Sequence, residues 1–264
     1  MIDLHRSMWY YKSKKDDTVI IDKLSELAEK KPTRGFDEYF KRIREEGKKW
    51  NRKRVLRVYR IMGLKFRRKR KRRLPSRVKE PLLVPSNINR TWSMDFMSDS
   101  LSYGRRVRIL NIIDDFNREA LAVEPDYNYP AEKVVVVLNE IIFFRGKPST
   151  IRVDNGPEFI SKHFVDYCKS QEIEIKYIQP GKPMQNAYIE RFNRLYREDI
   201  LDAYMFENLR QLKELSVEWM NDYNYYHPHS SLKNKSPINY LKLFALEGTF
   251  QSKKSIELNE NCLI

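Results

Sequence analysis

Residues 150–190 read TIRVDNGPEFISKHFVDYCKSQEIEIKYIQPGKPMQNAYIE. Thr150–Asp154 is a short strand rich in β-branched residues. Asn155-Gly156 is a turn signal, and Pro157 suits the first turn of a helix that the pattern carries to about Gln171. Glu172–Ile178 alternates as a second strand, QPGKPMQ is a loop, and a further helix is expected from about Asn186 to Tyr204. Asp154 thus ends a strand, Glu190 sits on a helix, and thirty-five residues separate them. No local period relates the two; only a fold can bring them together.

Upstream, Thr91–Ser100 alternates, Val107–Asp115 is a strong β-branched strand, and Arg118–Val123 returns after a turn at Phe116-Asn117. Ala131–Phe144 is apolar almost all round and reads as a buried helix. Two more helices are expected near 208–226 and 237–245. The order βββαβαβα predicts an α/β fold with a mixed five-stranded sheet flanked by helices. Asp95 falls midway along the first strand. Three carboxylates, Asp95, Asp154 and Glu190, are therefore placed at strand middle, strand end and crossing helix. Hard divalent cations such as Mg²⁺ and Mn²⁺ take carboxylate oxygens, and two such ions suit phosphodiester displacement. On the Glu190 helix, Ile189, Phe192 and Tyr196 form the buried face, with Asn186, Glu190, Asn193, Arg194 and Arg197 opposite. The plain alternative is a solvated Glu–Arg helix face.

The front of the chain differs in charge. Of a net +15, residues 1–80 hold 28 Lys and Arg against 11 Asp and Glu, whereas residues 81–264 hold 23 against 25. A basic segment attracts polyanions. Three short helical patterns occur there. Asp17–Lys30 carries Ile20, Leu24 and Leu27, and Phe36–Glu45 carries Tyr39 and Ile43 ahead of Gly47. The third is capped by Asn51 and carries Val55, Tyr59 and Met62. Lys53, Arg57 and Arg60 make a basic stripe on it, and two helices, a tight turn and a basic third helix read as a small all-α, helix-turn-helix-like DNA-binding unit. The run KFRRKRKRR, residues 65–73, includes Arg67, Arg68 and Arg70 and reads as a phosphate-tracking arm without an apolar face for a membrane. Three prolines in 74–90 mark a linker. The expected division is a DNA-binding region 1–73, linker 74–90, catalytic core 91–204 and C-terminal helical extension 205–264.

The 41% hydrophobic content supports a packed core, and no apolar stretch is long enough to span a bilayer. The N-terminus shows no secretory h-region. Two cysteines, Cys168 and Cys262, exclude a disulfide framework and a Cys-rich zinc module, and suit a reducing, cytoplasmic location. Capping is the better reading of His227 and His229 than metal ligation.

WSMDF, NIIDDFNRE, IRVDNGPEF and QPGKPMQNAYIERFNRLYRED, taken together and in order, resemble the integrase-type transposases of bacterial insertion sequences. The likeness is to the second-reading-frame product of the family that makes its transposase by frameshifting. It implies an RNase H-like catalytic core similar to that of retroviral integrase. It implies that Asp95, Asp154 and Glu190 form an acidic triad binding two Mg²⁺ ions, with Mn²⁺ able to substitute. Asp114, Asn155 and Gly156 match supporting positions, and Lys182, Gln185 and Asn186 match a DNA-contacting loop; Arg194 and Arg197 are expected on phosphate. The resemblance covers the C-terminal YNYYHPHSSLKNKSP, with His227 where the family usually has Arg and Lys233 where it usually has Gly. The implied activity is cleavage at the 3′ ends of the element and transfer of the 3′-OH to DNA. The implied partners are terminal repeats and target DNA, a homo-oligomer on DNA, and a first-reading-frame product or fusion, in the bacterial nucleoid. The rival reading is a catalytically silent DNA-binding regulator or element relic.

Overall fold

The computed structural model describes residues 16–64, 84–179 and 183–246. The chain forms two compact units, Met1–Arg70 and Lys71–Ile264. Among the described residues, no helix is long and apolar enough to cross a membrane.

The first unit is three helices: α1 (Thr18–Lys30), α2 (Phe36–Glu45) and α3 (Arg52–Ile61). Ile20, Leu24 and Leu27 project from one face of α1 at helical spacing and are buried with Tyr39, Ile43, Val55, Val58 and Tyr59. Phe36 and Tyr39 meet Tyr59 edge-on, with ring centroids 5.4 and 6.1 Å apart. Gly47 and Gly63 close α2 and α3 at φ of +81° and +71°, where a side chain would be strained. The Asn51 side chain accepts from Lys53 N at 2.8 Å and starts α3. Between α2 and α3 run residues 46–51, longer than the tight turn expected from sequence. The extra chain accommodates the Gly47 cap and the partly buried Trp50.

The second unit is built on strands β1 (Thr91–Ser100), β2 (Arg106–Asp114), β3 (Ala120–Asp126), β4 (Thr150–Val153) and β5 (Glu174–Tyr177). Their order across the sheet is β3-β2-β1-β4-β5. The first three are antiparallel, and β4 and β5 join in parallel. This is the mixed five-stranded sheet expected from the order of elements.

Strand alternation then sorts the residues. Trp92, Met94, Leu110, Ile112, Ile151 and Val153 face one layer, formed by α4 (Ala131–Arg145), α5 (Pro157–Ile160) and α6 (Lys162–Ser170). Met97, Ile109 and Ile113 face the other, formed by α7 (Ala187–Tyr196) and α8 (Leu209–Tyr226). Phe192, Tyr196, Trp219 and Tyr223 interlock in that layer with centroid separations of 5.0–5.4 Å. β3 is an edge strand, and α8 caps its start: the Asn224 amide accepts from Ala120 N at 2.8 Å and donates to Ala120 O at 2.9 Å. A last helix, α9, spans 237–246, and its Phe244 meets Phe116 at 4.9 Å.

Several expectations are corrected. The single helix from Pro157 to Gln171 is two helices, because Ser161 turns extended (φ −61°, ψ 144°) and its hydroxyl caps Phe164 N. The third strand begins at Ala120, since Arg118 occupies the turn at φ +61°. β5 is shorter than Glu172–Ile178, because Glu172 takes a left-handed turn at φ +58° before it. The α7 helix does not continue to Tyr204; it ends at Tyr196 and relaxes through a wide π-type turn, Arg197–Leu201. α4 is not buried all round: Val134 and Leu138 are, but Phe143 and Phe144 are 82% and 86% exposed where the helix leaves the layer beneath it.

Candidate active site

The pleat of β1 turns Trp92 and Met94 towards α4, so Asp95 between them and Met97 points to the α7 side. The parallel register of β1 with β4 pairs Thr91 with Thr150 and Ser93 with Arg152. Continued along both strands, that offset brings Asp154 level with Asp95. Asp154 lies just past β4, where its Oδ1 accepts from Gly156 N at 2.9 Å. A Cβ on Gly156 would sit 2.9 Å from that oxygen, so the turn tolerates no side chain without moving the carboxylate. Glu190 lies on α7 and is exposed.

The charges of Asp154 and Glu190 reach Asp95. Asp95 is pushed up to about 6, first by burial; Asp154 and Glu190 add to the rise, while the Phe96 N–H and Asn193 pull it back. Among the described residues, no cluster of three or more His, Cys, Asp or Glu side chains is set to hold an ion as it stands. The donor set nevertheless suits a hard cation: oxygen ligands only, and a carboxylate whose ionisation burial and two neighbouring acids oppose. Asn186 adds an orphaned oxygen: its Oδ1 is buried without a hydrogen-bond partner one turn before Glu190.

Asp95 is also held from behind. Asn193 Nδ2 donates to Asp95 Oδ2 at 2.7 Å, and Asn111 Nδ2 donates to Asn193 Oδ1 at 2.7 Å. Asn193 and Asn186 are therefore buried, not on the solvated polar face of α7 predicted from helical spacing. Sequence reading missed Asn111. Its signal is a lone amide amid VRILNIID, directly opposite Asp95 in the β1–β2 ladder. Asn193→Ala removes the donor to Asp95 and strands the Asn111 amide. It is expected to cost about 1–3 kcal/mol in thermal unfolding and to lower any metal-dependent DNA cleavage about 10–100-fold, as loss of an orienting partner does.

Asp114 is fully buried and accepts from Asn89 N and Phe116 N, so it fixes the end of β2. Asp115 is equally buried, taking Ser93 Oγ at 2.7 Å and Arg152 at 2.6 Å. Burial pushes it up to about 6 against the pull of Arg152. Both Asp95 and Asp115 thus favour the protonated form on folding. Their stabilisation is full below the ordinary aspartate range and is lost as pH rises through about 6. In metal-free protein, the melting-temperature advantage of Asp95→Asn over wild type is therefore expected to grow across that window; paired thermal melts in chelator check this.

The other named residues are dispersed. Gln185 accepts from Gln179 N at 2.9 Å, and a cleft of about 310 Å³ beside it is lined by Arg152, Lys176 and Tyr177. Asn155 donates to Ile178 O at 3.2 Å, tying the Asp154 turn to β5. Arg194 is exposed. Arg197 is spent on Asp99 at 3.2 Å and on Ser98 O at 2.9 Å. Glu158 pairs with Arg108. On α3, Lys53 and Arg60 are exposed, while Arg57 is paired with Asp17. Lys182, Arg67, Arg68 and Arg70 lie outside the described residues. His163 is exposed, and His227 stacks on Tyr223 at 5.4 Å and follows the end of α8, in keeping with a capping role. Cys168 is buried and its thiol is pushed up to about 12 by burial.

Two models described as integrase core domain match the chain, over residues 85–183 and 171–237. The chain is 37% identical over 242 residues to the insertion element IS407 uncharacterized 31.7 kDa protein of Burkholderia multivorans, covering 91% of this chain and 87% of that one. It is 25% identical over 247 residues to transposase InsD for insertion element IS2 of Escherichia coli, covering 88% and 81%. Among solved structures, the HTLV-2 integrase catalytic core domain in complex with magnesium aligns at 21% identity and a TM-score of 0.45, over 57% of this chain and 94% of that one.

Proposed function

Because the chain belongs to the integrase-core family of insertion-element proteins, we propose that it is a DNA transposase whose chemistry runs at Asp95, Asp154 and Glu190. The observation that carries this reading is geometric: the β1–β4 register sets Asp154 level with Asp95, and Asn193, one turn after Glu190 on α7, donates to Asp95 Oδ2. In the first step a water or hydroxyl oxygen attacks phosphorus at the element end, the P–O3′ bond breaks, and the 3′ oxygen leaves as a hydroxyl. In the second step that 3′-OH attacks a phosphodiester of target DNA and displaces its 3′ oxygen. Two Mg²⁺ ions, or Mn²⁺ in their place, held by the three carboxylates would activate the attacking oxygen and stabilise the leaving one.

The protein's own part is positioning. Asn193 and the Phe96 N–H fix the two oxygens of Asp95, and the Gly156 N–H fixes Asp154. The cleft beside Gln185, with Arg152 and Lys176 at its wall, suits a phosphate backbone running past Asp154. Lys182, Asn186 and Arg194 are proposed to flank the same DNA. The α2–α3 pair and the 65–73 arm are proposed to hold duplex DNA, through Lys53, Arg57, Arg60, Arg67, Arg68 and Arg70. Terminal repeats, target DNA, further copies of the chain and a first-reading-frame partner are the proposed associates, in the cytoplasm of a bacterial cell.

The test is incubation with duplexes carrying the element ends in Mg²⁺, in Mn²⁺ and in chelator. Joined or branched products in either metal and none in chelator are expected. DNA binding without product, in this chain and in its first-frame fusion alike, would favour the catalytically silent binding protein.

A further inference from the structure

A cavity of about 140 Å³ lies apart from the carboxylates, between α7, the end of α8 and the turn at Ser230–Leu232. Arg118, Arg191, Tyr188, Tyr223, Ser230 and Ser231 contribute to its wall. Arg118 is the unusual member. It is only 6% exposed, and its Nη1 has no hydrogen-bond partner. A buried guanidinium with an unspent donor is costly unless something anionic completes it. The carboxylate that feels its charge, Asp115, already has its oxygens on Ser93 and Arg152.

The backbone holds Arg118 in place despite strain. It sits at φ +61°, a conformation more natural to glycine or asparagine. Its N–H donates to Asp114 O at 2.9 Å, and its carbonyl accepts from the Tyr223 hydroxyl at 3.0 Å. The guanidinium carbon lies 3.4 Å from the centre of the Tyr188 ring, so the fork is stacked and pre-oriented. Arg191 supplies a second guanidinium from the exposed face of α7, one residue after Glu190, and both arginines bear on the Tyr223 hydroxyl. Ser230 and Ser231 are exposed.

We propose that this cavity binds a phosphate group, with Arg118 as its buried anchor and Arg191 at its mouth. Guanidinium forks match phosphate oxygens in pairs, and the stacked fork has little freedom left to lose. Resting on the transposase reading above, the source of that phosphate is the DNA backbone, gripped on the side of α7 away from Asp95. The contact positions DNA without reading sequence.

The experiment uses the full chain in chelator, so that no cleavage intervenes, with Arg118→Gln and Arg191→Gln. Binding of a duplex of arbitrary sequence is measured across a salt series. Each variant is expected to lose about 0.9 from the magnitude of the log affinity against log salt slope, one phosphate contact's worth. In parallel, melting temperatures are taken in inorganic phosphate and in chloride at matched ionic strength; phosphate is expected to raise the wild type and not the variants. Variants that lose the phosphate-induced rise but keep the wild-type DNA slope would overturn the DNA source in favour of a free phosphate ligand. Unchanged slope and unchanged phosphate response in both would overturn the site. Arg191 is exposed, so its variant keeps the test open if Arg118→Gln does not fold. Absent strand transfer in this chain and in its first-frame fusion, with both responses intact, would remove the transposase reading and leave the pocket.

Discussion

Glu190→Gln lowers strand transfer by at least about 10³-fold, the scale on which a preorganised charge-stabilising group acts, while duplex DNA affinity stays at the wild-type level. Glu190 is exposed on α7, and glutamine keeps its length and helix preference, so the fold does not depend on its charge. What changes is the field at Asp95, whose rise depends in part on Glu190. Removing that charge lets Asp95 ionise at lower pH, so the variant should melt no lower than wild type in chelator. Loss of chemistry without loss of stability or DNA binding is the signature of a metal-holding acid. Asp154→Asn should behave alike, because its carboxylate also bears on Asp95 and lies on the exposed turn after β4. Strand transfer in either variant at the wild-type rate would remove the triad.

Trp219→Ala destabilises the second unit by about 3–5 kcal/mol, as large core aromatics do. Trp219 is 3% exposed, touches Phe192, Tyr196 and Tyr223, and donates to Asp199 Oδ2 at 2.9 Å. Its loss empties the junction between α7 and α8 and removes one hydrogen bond to Asp199. Against a typical total of about 5–15 kcal/mol, that leaves little margin. The same packing predicts that a chain ending at Tyr204, which lacks α8, cannot keep the α7 side of the sheet dry. Ile113, Ala120 and Val123 share their cluster with Leu212, Trp219 and Tyr223. Denaturant titration of Trp219→Ala, and the solubility of chains ending at residues 204 and 246, check both expectations. A stable, cooperatively folding chain ending at Tyr204 would show that α8 is dispensable.

The sequence speaks clearly wherever a signal is local. The faces of α1 and α3, the caps at Asn51 and Gly47, and the β2–β3 hairpin all follow from period and turn chemistry. The resemblance, not any local spacing, implies Asp95, Asp154 and Glu190 as a triad; in the structure the charges of the other two add to the rise at Asp95. The polar pair Asn111–Asn193 is hidden because its members stand 82 residues apart. Helical spacing put Asn193 with the solvated residues; only the depth of β2 shows that it points inward. The apolar run of α4 reports that a helix needs burial, yet not where the helix outruns its sheet, so Phe143 and Phe144 were misjudged. Arg118 carries no signal at all, since one arginine after Asn117 looks like any turn residue. Ser161 hides a cap inside a helical pattern.

The strand order β3-β2-β1-β4-β5 also sets a timetable. The hairpin of β1, β2 and β3 is complete soon after residue 126 leaves the ribosome, so Asp95 stands on the earliest part of the sheet to form. Its neighbour β4 arrives only after α4, and Glu190 only after β5; the helix that seals them, α8, ends at Tyr226. Non-local parallel pairing is the slow part of such a topology. A chain released between about residues 126 and 226 therefore carries the three basic helices and the first three strands, but a sheet not yet sealed by α8. Under the proposed function, a chain released early would attach to DNA before it could cut it.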